Sequence, residues 1–284
     1  RFSSFLAFPN ASKIVSKSLL NWHSYLTSYN NTVFQSAVIT STSAQSAGIP
    51  QQSSALVWLD AQTSFGDVAE GTQVTEWPNL ADSSNNFITH TSRNNGVPTV
   101  QVDSNNKKVI NFNIESLQAE STITGSQNTQ GMEVWAVVTN NDVFNNTGGH
   151  YRLLIDSGMI APHGWGLAVM QKLVDGVPKT WIQSHWPDHG HSGTVWSNLY
   201  LDPSDEYMVI RVRYDFEGGT TTLYAEGTES TVSLPITTFH SKIHSGTGTV
   251  LGQTSKNHLV SARSFIGTLG TMIIYDTLLT SSEA

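Results

Sequence analysis

Three histidines and an aspartate fall within seven residues, His185-Trp-Pro-Asp-His189-Gly-His191, and this is the densest chemical signal in the chain. Neutral imidazole is a good ligand for Zn, Cu or Ni, so His189 and His191 are candidate metal ligands. On a strand the two would share a face, but Pro187 and Gly190 argue that the stretch is a loop. His150 and His163 sit in neighbouring turns and would converge on it from across a sheet. No His-Glu-x-x-His spacing is present. Three readings stay open: a hydrogen-bonded polar loop, a ligand-binding loop and a metal site. Trp165, Trp181, Trp186 and Trp196 surround the same stretch. Aromatic faces flanked by amide and imidazole donors suit sugar rings, which pair apolar C–H faces with polar edges. The expected ligand-binding set is therefore His163, His185, Trp186, His189, His191 and Trp196, with sandwich core as the alternative role for the tryptophans. For Trp58, Trp77 and Trp135 core is the favoured role.

Catalytic patterns are sparse. No cysteine exists, which removes thiolate nucleophiles, disulfides and cysteine-ligated metals. There is no Gly-x-Ser-x-Gly elbow and no phosphate-binding loop. Glycoside hydrolysis needs a pair of carboxylates flanking the scissile bond, and Glu226-Gly-Thr-Glu229 lies in the wrong context to supply it. Arg211 and Arg213 share a strand face, as a solvated outer face would also explain. The reading leans towards a protein that is not an enzyme.

The elements that must carry these residues are short β runs broken by turn chemistry. Expected strands cover 55–60, 99–102, 109–112, 131–139, 151–156, 164–170, 180–183, 207–215, 220–225, 248–251 and 265–275. Asp215-Phe-Glu-Gly-Gly219 reads as a hairpin loop, and Asn94-Asn-Gly96, Asn105-Asn106 and Asp175-Gly176 as other turns. About a dozen strands at this spacing argue for two packed antiparallel sheets. Residues 1–40 differ. Val15, Leu19, Trp22, Leu26 and Tyr29 form one apolar stripe of a helix that starts near Pro9-Asn10-Ala11-Ser12 and stops at Asn30-Asn31. Such a stripe must be buried, on the sandwich or on a neighbouring subunit. Val33 to Ile39 is a further expected strand, and 41–54 is a Ser/Thr/Gln-rich linker.

Composition bounds the partners. The 284 residues carry 14 basic and 22 acidic side chains, a net charge of −8, with no basic cluster, so nucleic acid is not an expected partner. No run of about 18 apolar residues occurs, so membrane insertion is not expected. Charged residues are 13% and hydrophobic residues 38%; Ser, Thr, Asn, Gln and Gly supply the polarity, as in all-β extracellular proteins. No signal peptide is visible, so residue 1 reads as a processed end or as the start of a piece of something longer. Sequons occur at Asn10, Asn30 and Asn145.

Two segments near the ends carry a family likeness. Ala55-Leu-Val-Trp-Leu-Asp60, with Val74-Thr-Glu-Trp77 and Pro78-Asn79-Leu80-Ala81-Asp82, resembles the opening strands of laminin-G-like, concanavalin-A-like jelly rolls. Phe265-Ile-Gly-Thr-Leu-Gly-Thr-Met-Ile-Ile-Tyr-Asp-Thr-Leu-Leu279 resembles their closing strand. The resemblance covers roughly 55–280. Relatives carry a Gly after the strand at Val109 to Phe112, where this chain has Asn113 and Ile114. The resemblance implies an all-β fold, a two-sheet antiparallel jelly-roll sandwich of concanavalin-A-like type over 55–284, with an N-terminal helical extension. It also implies calcium as the cofactor to look for, with Asp60, Asp82, Asp156 and Asp276 as candidates by position. Alginate-lyase-like members are echoed only by Gln183-Ser-His185 and Tyr275. The function expected is a non-catalytic extracellular or cell-surface recognition or adhesion module for a glycan or polysaccharide. The alternatives are a structural subunit of a filament, sheath or virion, whose residues 1–40 contact further copies of itself, and a polysaccharide lyase or glycoside hydrolase with an unfamiliar site.

Overall fold

In a computed structural model of the chain, the described residues are 49–89, 96–121, 123, 131–141, 152–157, 165–187, 194–204, 207–215, 217–233, 248–253 and 264–284, without the side chains of 185–187 and 194–196. The helix and strand expected in 1–40, and the sequons at Asn10, Asn30 and Asn145, lie outside them.

Sixteen strands form among the described residues: β1 Ala55–Asp60, β2 Glu76–Trp77, β3 Phe87–Ile88, β4 Thr99–Val102, β5 Lys108–Asn113, β6 Leu117–Ala119, β7 Gly131–Asn140, β8 Leu153–Ser157, β9 Trp165–Val174, β10 Val177–Pro187, β11 Thr194–Leu201, β12 Met208–Asp215, β13 Thr220–Ala225, β14 Thr228–Ser233, β15 Thr249–Leu251 and β16 Ile266–Tyr275. One short helix, α1 (Ala61–Phe65), follows β1, with Asp60 accepting from the Thr63 amide at 2.7 Å as its N-cap. The first sheet runs β14-β13-β12-β7-β16-β5-β4, and the second β11-β10-β9-β8-β15-β6-β3-β2. The named pairings within both are antiparallel. The expected two-sheet antiparallel jelly-roll sandwich is the fold observed.

Alternation sets the core. In β12, Met208, Ile210, Val212 and Tyr214 point inward and are buried, while the residues between them are half-buried. Trp77, Phe87, Trp165, Leu167, Ile182 and Leu199 meet them from the second sheet. Each large aliphatic side chain so buried contributes about 1.5–3 kcal/mol. Trp165, grouped by sequence with the candidate ligand site, is instead a core residue with no exposed surface, packed against Tyr214 at 6.3 Å between ring centroids.

β16 closes the sandwich. Its second half pairs with β1, from Asp60↔Thr271 to Ala55↔Tyr275, and its first half pairs with β5 on the same flank. β7 runs along the other flank, buried over its whole length. The free side of β1 is braced by Asn79, whose Oδ1 accepts from the Trp58 and Ala81 amides and whose Nδ2 donates to the Leu56 carbonyl. That is what the Pro78-to-Asp82 segment does: a side-chain amide stands in for a missing strand.

The outer face of the first sheet is covered. Trp58, Trp135, Ile273, Tyr275, Leu279 and Ile49 form a second apolar cluster there. Trp58 and Trp135 are thus buried, but on the outside of the sheet. Glu133 has no exposed surface and holds the cover down. Its carboxylate accepts from Arg211 (3.0 and 2.8 Å), Arg213 (3.3 Å), the Trp135 indole (3.1 Å) and the Leu279 amide (3.0 Å). The pair Arg211 and Arg213 therefore does not lie on a solvated face, as expected; both arms neutralise a buried acid.

Candidate functional site

The outer face of the second sheet has a different character. Register aligns Met170, Trp181 and Tyr200 in one row across β9, β10 and β11. Ala168, Gln183 and Asn198 form the next row, and Gly166, His185 and Trp196 the one after. Between these positions Val169, Ile182 and Leu199 face the core, so the first two rows share the opposite face.

Trp181 and Tyr200 are direct cross-strand neighbours, with rings 6.1 Å apart and 13° from parallel. Leu153, Ala168 and Met170 pack with Trp181 as a small apolar floor. Tyr200 remains 43% exposed, unusual for so large an aromatic on a strand. Lys172 reaches from β9 to β10 to place its ammonium 4.0 Å from the Trp181 ring centroid.

The polar groups follow from donor chemistry. The Trp181 indole N–H can only donate, and it donates to Asn198 at 2.9 Å, so the amide atom of Asn198 facing it is Oδ1. The same Oδ1 accepts at 2.7 Å from Gln183, so Gln183 must present its Nε2. Two consequences are forced. Gln183 Oε1 is left as a buried acceptor without a hydrogen-bond partner, on a residue only 5% exposed. The Asn198 Nδ2 donors also have no partner among the described residues. Buried polar groups are nearly always satisfied in native proteins, so the orphaned acceptor two residues from the Trp181–Tyr200 pair is an exception to that rule.

The sequence-derived ligand set maps unevenly onto this face. His163, His189 and His191, with His150, lie outside the described residues. His185 and Trp186 belong to β10 and Trp196 to β11, not to a loop. Pro187 did not break the strand because it is the last residue of β10, paired to Thr194 of β11 beyond the point where the register with β9 ends at Gly166. His185 and Trp196 stand in register with each other, two residues along from the Gln183–Asn198 pair. Trp186 pairs with Val195, one step out of phase. Lys172, Asn198 and Tyr200 were not singled out, and Gln183 only as part of the lyase-like echo Gln183-Ser-His185. The signal was there in the repeated period of two, Trp181-Ile-Gln183-Ser-His185 against Trp196-Ser-Asn198-Leu-Tyr200.

The carboxylates proposed for calcium are engaged separately. Asp60 caps α1 and accepts from the Thr271 hydroxyl at 3.0 Å. Asp82 accepts the Ser84 hydroxyl and amide, which hold its carboxyl below the ordinary range. Asp156 has no exposed surface and sits opposite Gly166 in β9. Burial pushes the Asp276 carboxyl up. Among the described residues no three His, Cys, Asp or Glu side chains come together as metal ligands.

In comparisons by sequence, no protein-family model and no curated protein matches the chain. In comparisons by structure, the chain is similar to the botulinum neurotoxin serotype D binding domain, with a TM-score of 0.50 and 11% identity over 82% of this chain and 50% of that one. The chain thus spans half the length of that structure. It is also similar to the Ruminococcus gnavus IT-sialidase CBM40 bound to alpha2,3 sialyllactose (TM-score 0.41, 14% identity, 54% of this chain and 80% of that one). A third likeness is to the heptameric SAP-like pentraxin of Limulus polyphemus (TM-score 0.37, 17% identity, 53% and 66%). At 11% identity the likeness to the toxin domain is one of fold.

Proposed function

We propose that the chain is a non-catalytic recognition module that binds glycans on the outer face of β9, β10 and β11, and that its sandwich is a laminin-G-like member of the jelly rolls. One observation carries this: the half-buried Trp181 and the exposed Tyr200 flank an amide pair with one acceptor, Gln183 Oε1, and the donors of Asn198 Nδ2 left over among the described residues. A pyranose offers an apolar C–H face to the aromatics and adjacent hydroxyls that both donate and accept. The outer face of a sheet that presents an aromatic pair beside an amide pair suits holding a sugar. An extracellular or cell-surface location accompanies a glycan partner.

The test is a glycan array followed by calorimetry on the best binders, with W181A and Y200A beside the parent chain. Truncating a central aromatic anchor costs about 2 kcal/mol, close to thirtyfold in affinity. Glycan affinity that is unchanged in both variants would remove the site from this face.

A further inference from the structure

Lys172 sits against the aromatic pair without an acidic partner among the described residues. Its cross-strand neighbour Lys179 does have one, Asp202. In a chain with a net charge of −8, an exposed ammonium left over the Trp181 ring, which itself stacks with Tyr200, is an exception that needs a reason. The Trp181 ring attracts the charge but accepts no hydrogen bond in its plane, so the three N–H donors of Lys172 stay available while the nitrogen is held 4.0 Å from the ring centroid. A hydroxyl of a neutral sugar stacked on Trp181 would accept a hydrogen bond there but bring no opposite charge. An oxyanion on that sugar would gain a charge-assisted hydrogen bond.

We infer that the ligand is an acidic saccharide, with Lys172 engaging a carboxylate or sulfate on the sugar that stacks against Trp181 and Tyr200. This rests on the glycan reading of the same face and narrows it to a substrate class. The shared chemistry is an anionic oxygen cluster, whether from a uronate-type carboxylate or from a sulfate ester. The geometry assigns Lys172 as the specificity-determining residue, distinct from the amide pair that engages hydroxyls.

The experiment titrates the whole chain with three oligosaccharides of matched backbone, one neutral, one bearing carboxylates and one bearing sulfates, at low and at physiological salt. The expected result is about a tenfold preference for an anionic form, the value of about 1.4 kcal/mol for one such bond, shrinking as salt is raised. Whichever anionic form is preferred identifies the source of the oxyanion. In K172Q the ratio of anionic to neutral affinity falls towards one, and in K172R it is kept. K179Q, whose wild-type charge is already met by Asp202, keeps the parent's ratio. Equal parent affinity for neutral and anionic forms overturns the inference and leaves the glycan site standing. A K179Q variant that loses the ratio as fully as K172Q overturns it too, because the effect would then be general charge. Binding of none of the three overturns both readings.

Discussion

Glu133 shows what one side chain does when its charge is buried. Its two oxygens collect five hydrogen bonds, from Arg211, Arg213, the Trp135 indole and the Leu279 amide. Arg211 also lies over Trp135 at 4.8 Å and Tyr224 at 5.2 Å, so the guanidinium is held by faces as well as by the acid. Removing the charge strands two partly buried cations and one amide. Glu133→Ala is expected to destabilise the fold by about 3–5 kcal/mol in urea unfolding and to make the segment after Tyr275 more sensitive to limited proteolysis. A loss under about 1 kcal/mol would mean the cluster is ornamental. On the opposite sheet the logic is reversed, since there the polar groups of Gln183 and Asn198 are left unmet. Satisfied networks hold structure together, and unsatisfied ones near a surface point to a ligand.

Among the elements, the turn after β5 breaks a local rule. Relatives place Gly there; here Ile114 adopts φ 76°, a left-handed conformation that a β-branched residue strongly resists. The amide of Ile114 is fixed by the Phe265 carbonyl at 3.2 Å, so the ladder with β16 imposes the geometry. Ile114→Gly is expected to stabilise the chain by about 1 kcal/mol, read as a higher urea midpoint at unchanged slope. A lower midpoint would show that Ile114's partial burial outweighs the relief of strain. The strands themselves were largely legible: β1, β4 and β13 match their sequence-derived bounds, because apolar alternation and flanking turns mark them from both sides. β14 escaped because Thr228–Ser233 is an edge strand with only Val232 to bury, and β2, β3 and β6 are two or three residues long. β11 was masked by its Ser, Asn and Gly neighbours. The site was legible in kind but not in place. Histidine density drew attention to 185–191, whereas Trp181 meets Tyr200 only through a hairpin register that residue types alone do not fix.

At the scale of the whole molecule, two phenols, Tyr214 and Tyr275, are fully buried and a third, Tyr207, is half-buried. Burial pushes the Tyr207 hydroxyl up to about 12 despite the hydrogen bond it accepts from Thr268, and it raises Tyr214 and Tyr275 as well. An unfolded phenol releases its proton near pH 10, so between pH 10 and 12 the unfolded chain binds fewer protons than the native one. Stability contributed by these groups is thus complete below pH 10 and is lost as pH rises through the folded values. Urea midpoints are expected to hold steady up to about pH 9.5 and to fall beyond it. Tyr207→Phe should flatten part of that fall; a profile level to pH 12 would contradict the burial of all three. The same molecule brings its two flanks together. Ile49 and Leu279 share one cluster, the Asp276 amide bonds the Ser54 carbonyl, and Gln51 bonds Glu283. Because β1 and β16 run antiparallel from that point, tension applied between residues 54 and 276 meets the ladder at Ala55↔Tyr275 and opens it one rung at a time. Mechanically the seam is a zipper and not a shear joint. A load carried through these flanks would separate them at low force while β7, β12 and the aromatic face of β10 stayed folded behind.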